Sequence, residues 1–503
     1  MSGEWILAID QGTTNTKALL VDREGRIAYR ASAPLEILQP QTGFVEQDPL
    51  ALWQSVVQVI GTCVRHALAG RAAIVGIAIS NQRETAVAWR RGAAGSSAAG
   101  EPVGNAITWQ CRRSAPVCER LRAHAATIQS ITGLPLDPLL SATKWAWLFD
   151  RHPELRAEAE NGELHLGNVD AWLLYNLTAG KVHSTDHTNA SRTALLSLAT
   201  LDWDPALGDL FGIPCTALPA VRASSGNFGS CAAIPELAGV PIVAMIGDSH
   251  AALVGHGRYE PGTVKATYGT GSSLMTLTPE LVSEAKQLAR TVAWSSEDGA
   301  HFALEGNIAM SGAAVQWVGE FLGLAHPVED AAALAATVSD AAGLILVPAM
   351  VGLGAPYWDS AARGLMANVE RSHTAAHLAR AALDAVAFQV ADVLEAMESA
   401  ANVTLPVLRA DGGATRNDAL MQMQADVLGR PVHRSTQEDL SARGAALLGG
   451  LALGWWRSLD ELVALPKSVQ PFEPRKSQAE RERLRGAWRL AVERARLTAE
   501  RVA

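Results

Sequence analysis

The sequence predicts an α/β protein of two or three domains, and three features of the chain lead to this prediction. Short apolar runs of strand length recur between turn residues, as at Ile6–Ile9, Ile74–Ile79 and Ile242–Ile246. Longer segments of helical periodicity, such as Leu50–Ala69 and His377–Ala400, lie between several of these runs. The chain has 503 residues, which is more than a single hydrophobic core usually organises.

A turn motif that occurs twice indicates that the chain has two similar halves. The apolar run Ile6–Ile9 leads into Asp10-Gln11-Gly12-Thr13-Thr14, and the run Val264–Thr267 leads into Tyr268-Gly269-Thr270-Gly271-Ser272. The two turns are about half the chain apart. We therefore predict an N-terminal domain of residues 1–254 and a C-terminal domain of residues 255–503. Glycine-threonine turns also follow unrelated strands, so the repeat alone leaves this prediction open.

Composition and charge exclude several classes of protein. Apolar residues make up 48% of the chain and charged residues 18%, which is typical of a globular protein rather than a disordered one. The net charge of -9 argues against general nucleic-acid binding. The five cysteines form no C-x-x-C pair, so a reducing cytoplasm is expected and a zinc site or disulfide framework is not. We expect no export signal and no membrane span.

The segment from Asp10 to Lys17 is a candidate phosphate site. Gly12 lets the backbone approach a ligand, the hydroxyls of Thr13 and Thr14 can hold phosphate oxygens, and Lys17 adds a positive charge. Asp10 stands at a strand end, which suits a Mg²⁺ ligand. The chain lacks the glycine patterns of P-loop, protein-kinase and Rossmann nucleotide sites. An ordinary hairpin would also explain this segment.

A second candidate is Asn81-Gln82-Arg83-Glu84, at the end of another apolar run. Adjacent residues of a strand point to opposite faces, so Arg83 and Glu84 can share a ligand only if the strand has already ended. The guanidinium would then donate to substrate hydroxyls and the carboxylate would accept from them. A surface ion pair is the alternative interpretation.

Two further motifs follow strands. Asp248 comes after the apolar run Pro241–Ile246 and suits a general base, with His250 as the rival base and helix capping by Asp248 as the structural alternative. The motif Asp411-Gly412-Gly413-Ala414-Thr415-Arg416-Asn417 joins a predicted strand to a predicted helix. Its glycines and Asn417 predict nucleotide contacts.

Together these motifs resemble the FGGY family of carbohydrate kinases, and within it the glycerol kinases. The other segments that carry the resemblance are Gly43–Pro49, Trp109–Arg113, Thr185–Thr193, Gly312–Trp317 and Gly352–Trp358. The resemblance implies two actin-like, ribonuclease H-like domains with a nucleotide cleft between them, the first on the substrate side and the second on the nucleotide side. It also implies ATP and Mg²⁺ as cofactors, a small polyol or ketose as substrate, and a homo-oligomer, either a dimer or a tetramer.

The resemblance also implies roles for individual residues. Asp248 corresponds to the general base and, with Asp10, to the carboxylates near Mg²⁺. Lys17 stands where the glycerol kinases usually have arginine, which keeps the charge but loses the planar fork. The implied substrate contacts are Arg83, Glu84, Trp109, Leu139, Asp248 and Ser249. The implied ATP contacts are Thr13, Thr14, Lys17, Thr270, Gly312, Gln316, Gly413, Ala414 and Asn417.

Three positions depart from the glycerol kinase pattern and predict a roomier acceptor pocket. Leu139 replaces a tyrosine, Ser249 replaces a glutamine and Ser273 replaces an aromatic residue. We therefore expect ATP-dependent phosphorylation of a primary hydroxyl of glycerol or a related small polyol or ketose, with a tetritol or a xylulose- or ribulose-type pentulose kinase as the alternative. A non-kinase actin-like ATPase is a further alternative. The polyol contacts implied for Arg83 and Glu84 argue against it, because a pure ATPase has no use for them.

Overall fold

The computed structural model of the protein describes residues 3–92 and 98–500, and the chain divides into two compact units. The first unit contains Met1–Tyr259, Arg290–Phe302 and Asp439–Pro466. The second unit contains the remaining segments, Glu260–Ala289, Ala303–Glu438 and Lys467–Ala503. Two later segments of the chain thus return to the first unit. A single domain boundary after residue 254 does not describe this division.

Between residues 3 and 259 the chain alternates strands and helices. The strands are β1 (Glu4–Gln11), β2 (Asn15–Val21), β3 (Ile27–Pro34), β4 (Glu46–Gln47), β5 (Ala73–Asn81), β6 (Val87–Arg91), β7 (Gly100–Pro102), β8 (Ala106–Ile107), β9 (Leu164–Gly167), β10 (Ser184–Asp186), β11 (Leu196–Ser197), β12 (Asp202–Trp203), β13 (Ala220–Arg222) and β14 (Ile242–Gly247). The helices are α1 (Pro49–Ala69), α2 (Ala115–Arg120), α3 (Ala125–Thr132), α4 (Ser141–Arg151), α5 (Pro153–Glu160), α6 (Val169–Leu177), α7 (His187–Ala190), α8 (Pro205–Phe211) and α9 (Asp248–Gly255). Short 3₁₀ helices span Arg122–His124, Cys215–Ala217 and Pro235–Leu237.

The same alternation continues to residue 500. The strands are β15 (Val264–Tyr268), β16 (Ser272–Thr278), β17 (Ala289–Ser296), β18 (Gly299–Ile308), β19 (Ile345–Val347), β20 (Leu365–Ala367), β21 (Leu408–Asp411), β22 (Val432–Ser435) and β23 (Val469–Phe472). The helices are α10 (Gly312–Phe321), α11 (Pro327–Ala335), α12 (Ala375–Ala401), α13 (Asp418–Leu428), α14 (Leu440–Ala452), α15 (Leu459–Val463) and α16 (Gln478–Glu500), with a 3₁₀ helix at Gly413–Arg416. The predicted α/β class is therefore confirmed.

The central sheet of the first unit has the strand order β14–β5–β1–β2–β3. β1 and β2 form an antiparallel hairpin, while β1 pairs parallel with β5 and β5 pairs parallel with β14. The apolar runs of these three parallel strands are almost fully buried, as expected when helices cover a parallel sheet. Helix α1 packs against β2 and β3, and helix α14 packs against β1, β5 and β14. The carboxyl ends of the three parallel strands therefore share one edge of the sheet.

The sheet of the second unit repeats this topology. It contains β18, β16, β15, β21, β22 and β23 in that order. β15 and β16 form an antiparallel hairpin, and β15, β21 and β22 pair in parallel. The turns after β1 and after β15 hold equivalent places in the two sheets. The internal repeat predicted from these turns is confirmed.

Each unit has a hydrophobic core of its own. The core of the first unit joins the sheet to helices α1 and α6, and that of the second unit joins the sheet to helices α10 to α13. A further cluster buries Trp488 of helix α16 against Phe388 of helix α12. Within the described residues, we find no helix whose length and hydropathy would suit a crossing of the bilayer.

Helices α9 and α14 of the first unit approach each other at Gly444. A Cβ atom at this position would overlap the carbonyl oxygen of Ala251. Backbone atoms cannot yield as a flexible side chain can, so the packing of these two helices requires glycine.

We expect Gly444→Ala to lower the free energy of unfolding by about 1–3 kcal/mol or more, because the added methyl group must push the two helices apart. Gly486→Ala is the matched control, since Gly486 also lies within a helix but has open space around it. That control should be neutral or stabilise the protein by up to about 1 kcal/mol. Urea denaturation measures both values, and equal effects of the two substitutions would contradict the packing argument.

Candidate functional site

Two aspartates lie at the shared edge of the parallel strands in the first unit. Asp10 is near the end of β1, where it pairs with Ser80 of β5, and Asp248 directly follows β14. The Ser80 hydroxyl donates to Asp10 Oδ1 at 2.9 Å. Burial, and next the charge of Asp248, raise the pKa of Asp10 to about 6. The two carboxylates are thus close enough to repel each other, and a bound cation would relieve that repulsion.

This donor set fits Mg²⁺. The ion usually takes one or two carboxylates and completes its octahedral shell with waters and phosphate oxygens. Across residues 3–92 and 98–500 we find no cluster of three or more His, Cys, Asp or Glu side chains able to hold a metal. A site built on Asp10 and Asp248 would therefore depend on the phosphate ligand for part of its coordination.

Asp248 is accessible, whereas the rival base His250 is not. The Asp248 side chain is 38% exposed, and its Oδ1 lies 3.3 Å from Arg83 Nε and accepts the Ser249 N–H at 2.6 Å. His250 is fully buried, with Nε2 3.1 Å from the Thr291 hydroxyl. An incoming hydroxyl group can reach the aspartate more easily, so the geometry favours Asp248 as the base. Ser249 itself is buried.

Arg83 and Glu84 follow the end of β5 at Asn81, as a shared ligand would require. Glu84 has a left-handed backbone conformation with φ +57° and a buried side chain. Its Oε1 accepts a hydrogen bond from Arg192 Nε at 2.6 Å. The alternative of a surface ion pair between Arg83 and Glu84 is wrong, because Glu84 pairs with Arg192 inside the protein.

A buried lysine that the sequence did not suggest supports this turn. Lys144 Nζ donates to the carbonyl oxygen of Glu84 at 2.9 Å and also to that of Leu139. Leu139 is partly buried, and its N–H donates to Asp137 Oδ1 at 2.8 Å. Burial lowers the pKa of Lys144 to about 7, while the charge of Glu84 opposes this shift. One side chain therefore joins two backbone segments that carry predicted substrate contacts.

The turn after β1 is held by a network of buried glutamines. Gln82 Nε2 donates to Gln47 Oε1 at 2.8 Å, and Gln47 Nε2 donates to the Thr13 carbonyl oxygen at 2.6 Å. The half-exposed Trp109 donates from Nε1 to the Thr13 hydroxyl at 2.9 Å. A predicted substrate contact and a predicted ATP contact are thus neighbours in the first unit. The neighbouring Thr14 is exposed.

Lys17 is bound to a carboxylate that the sequence did not indicate. Its Nζ donates to Asp439 Oδ1 at 2.7 Å, and Arg30 Nε lies 2.9 Å from Asp439 Oδ2. The Asp439 side chain is only 4% exposed, so this pairing is partly shielded from water. The charge of Lys17 is therefore shared between Asp439 and any phosphate that binds at the turn.

Two predicted ATP contacts of the second unit, Thr270 and Gly413, follow the ends of neighbouring strands, and a third, Gly312, begins helix α10. β15 and β21 run in parallel, which places the turn at Thr270 beside the turn at Gly413. The Gly312 N–H donates to the Gly269 carbonyl oxygen at 2.9 Å and joins the start of helix α10 to the first turn. The side chain of Thr270 is exposed, and Gly413 has open space around it. These glycine-rich turns leave room for a ligand to contact the backbone.

The remaining candidates of the second unit have partners within it. Gln316 lies on helix α10, where its Nε2 donates to Glu320 Oε1 at 2.8 Å. Asn417 caps helix α13 by accepting the Leu420 N–H at 3.0 Å, and Ala414 is partly buried. The Ser273 hydroxyl donates to Glu305 Oε1 at 3.2 Å. Ser273 thus belongs to a different unit from Leu139 and Ser249, the other two positions that depart from the glycerol kinase pattern.

Comparison with known proteins finds one family along most of the chain. The model of the N-terminal domain of the FGGY family of carbohydrate kinases matches residues 5–255, and that of its C-terminal domain matches residues 264–453.

Individual relatives cover almost the whole chain. A glycerol kinase from Deinococcus radiodurans is 44% identical over 98% of this chain and 98% of its own length. An apulose kinase from Pectobacterium atrosepticum is 46% identical over 98% of this chain and 99% of its own length. Among solved structures, Plasmodium falciparum glycerol kinase with ADP matches with a TM-score of 0.90 at 31% identity and covers 98% of each chain.

Proposed function

Because the chain belongs to the FGGY family of carbohydrate kinases, and is therefore an ATP-dependent phosphotransferase with an alcohol group as acceptor, we propose that Asp248 is its general base. The acceptor would be a primary hydroxyl of glycerol or of a related small polyol or ketose. One observation carries this proposal: the accessible carboxylate of Asp248 lies beside Asp10 at the edge where three parallel strands end. Ligands of open α/β sheets commonly bind at that edge.

The acceptor site is built from side chains of the first unit. Asp248 would accept the proton of the attacking hydroxyl, and Arg83 beside it would hold the carboxylate in place and donate to a second hydroxyl. Glu84, fixed by Arg192, would accept from a hydroxyl of the same substrate, and Trp109 would cover its carbon chain.

The nucleotide contacts and the metal complete the proposal. Asp10 and Asp248 would hold Mg²⁺, which when bound offsets the negative charge of the phosphate oxygens. The first unit would supply the acceptor site, and the second unit most of the nucleotide site. The proposed ATP contacts are Thr13, Thr14, Lys17, Thr270, Gly312, Gln316, Gly413, Ala414 and Asn417. Two further properties stay predictions: a cytoplasmic location and a homo-oligomeric state. The cysteines at 63, 111, 118, 215 and 231 are free, which is consistent with a cytoplasmic location.

We expect Asp248→Asn to lower kcat by about 10²–10⁴-fold, because the amide has nearly the size of the carboxylate but cannot accept the proton. ATP binding should persist, which nucleotide titration measures separately. Asp150→Asn is the matched control, since Asp150 makes an exposed ion pair with Arg120 in the same unit, and it should retain wild-type activity. If Asp248→Asn kept more than about a tenth of kcat, the base would have to be reassigned, with His250 as the next candidate.

The acceptor is proposed to be larger than glycerol. Leu139 and Ser249 replace larger or better-donating side chains of the glycerol kinases, while Arg83, Glu84 and Asp248 match the family pattern. The near end of the acceptor would then be held as in glycerol kinases, and its far end would have more room. The similarity to a relative named apulose kinase supports this choice, while the relatives named glycerol kinase favour glycerol itself.

We expect a polyol or ketose of four or five carbons to have a higher kcat/KM than glycerol. A missing hydrogen-bond partner costs glycerol about 0.5–1.5 kcal/mol, a few-fold to tenfold in rate, so glycerol should still react. Coupled ADP-release assays with glycerol, erythritol, threitol, erythrulose, xylulose and ribulose measure the preference. Leu139→Tyr should move it back toward glycerol. A clear preference of the wild type for glycerol would mean that other side chains compensate for the substitutions.

A further inference from the structure

Lys144 connects two segments of the proposed acceptor site from inside the protein. It lies on helix α4, its side chain is fully buried, and its Nζ donates to the carbonyl oxygens of Glu84 and Leu139. The carbonyl of Glu84 is 60 residues away along the chain, whereas that of Leu139 is five residues away. An ammonium group has three N–H donors and can hold both carbonyls at once.

A requirement of folding alone does not explain a lysine at this position. Transfer of an ammonium group from water into the protein interior is costly, and the lowered pKa of Lys144 reflects that cost. An apolar side chain of similar length would fill the same space without the cost of burying an ammonium group. The two carbonyl groups therefore give the clearest reason for a lysine amino group at this position.

The Glu84 turn is the segment that most needs such support. Glutamate rarely adopts a left-handed conformation such as the φ of +57° found here, and strained residues persist only where their surroundings fix them. The Glu84 carbonyl oxygen also accepts the Ser141 hydroxyl at 3.3 Å, while Arg192 holds the carboxylate. The direction in which the carboxylate points therefore depends on how the carbonyl is held.

We propose that Lys144 is a positioning residue that sets the width of the acceptor pocket by joining the Glu84 turn to the Leu139 segment. This inference rests on the proposed function, in which Glu84 and Leu139 bind the acceptor. The predicted ATP contacts make no hydrogen bond to Lys144 among the described residues. Loss of Lys144 should therefore impair acceptor binding and selectivity while leaving ATP binding intact.

The test is Lys144→Met, which keeps the length of the side chain but removes every N–H donor. We expect the KM for the acceptor to rise about tenfold or more, because two carbonyl groups lose the Lys144 donor and the turn can relax. The KM for ATP should stay within about twofold of wild type. The ratio of kcat/KM between glycerol and a five-carbon ketose should also change, since the pocket width is no longer fixed.

Two further variants separate positioning from general loss of stability. Thr178→Val removes a buried hydroxyl elsewhere in the first unit, at the end of helix α6, where it donates to the Leu174 carbonyl oxygen at 2.8 Å, and should leave the KM for the acceptor nearly unchanged. Lys144→Gln keeps an N–H donor and should fall between wild type and Lys144→Met. If Lys144→Met does not fold, the comparison of Lys144→Gln with Thr178→Val carries the test.

Three results would overturn the inference: an unchanged KM for the acceptor, equal rises in the KM for the acceptor and for ATP, or the same effect from Thr178→Val. Failure of the proposed function would look different. In that case the wild type would phosphorylate no acceptor of the panel, and the role of Lys144 in acceptor binding would be refuted with it.

Discussion

The parallel pairing of β1, β5 and β14 is the constraint on which the rest of the site depends. The three strands run in the same direction, so Asp10, the turn after Asn81 and Asp248 all lie at one edge of the sheet. A shift of one residue in either pairing would turn the side chains of a strand to the opposite face. Both faces of these strands are buried, so the close packing of their side chains holds the pairing in place. The residues that stabilise the core of the first unit thereby also set the position of the two carboxylates.

Around this edge the first unit uses buried polar groups as supports. Arg192 fixes the carboxylate of Glu84, Lys144 fixes its carbonyl oxygen, and Gln82 with Gln47 holds the turn at Thr13. Buried polar groups are costly unless they are hydrogen-bonded, and here the bonds converge on segments that carry candidate site residues. The acceptor side of the proposed site is thus held by hydrogen bonds within the protein, which favours reaction because less order must be gained on binding.

Much of the fold and site could be predicted from the sequence because the signals are local. Apolar runs indicated the strands, a repeated turn indicated the duplicated sheet, and residues directly after strands indicated the candidates Asp10, Arg83 and Asp248.

The parts of the site that the sequence did not indicate depend on contacts between residues far apart in the chain. Asp439 lies 422 residues from Lys17, and Arg192 lies 108 residues from Glu84. A lysine in a helix such as Lys144 is usually exposed, so its burial had no sequence signal. The segments 290–302 and 439–466 return to the first unit for the same reason, through packing that a local pattern does not encode.

The fate of the γ-phosphoryl group tests the proposed function most directly. The protein would be incubated with ATP, Mg²⁺ and each acceptor, and the products followed by ³¹P nuclear magnetic resonance. Transfer to a primary hydroxyl should give a phosphate monoester whose phosphorus couples to the two protons of a primary carbon, formed in equal amount to ADP. Release of inorganic phosphate without any ester would contradict it, because the chain would then hydrolyse ATP without transferring the phosphoryl group to a hydroxyl.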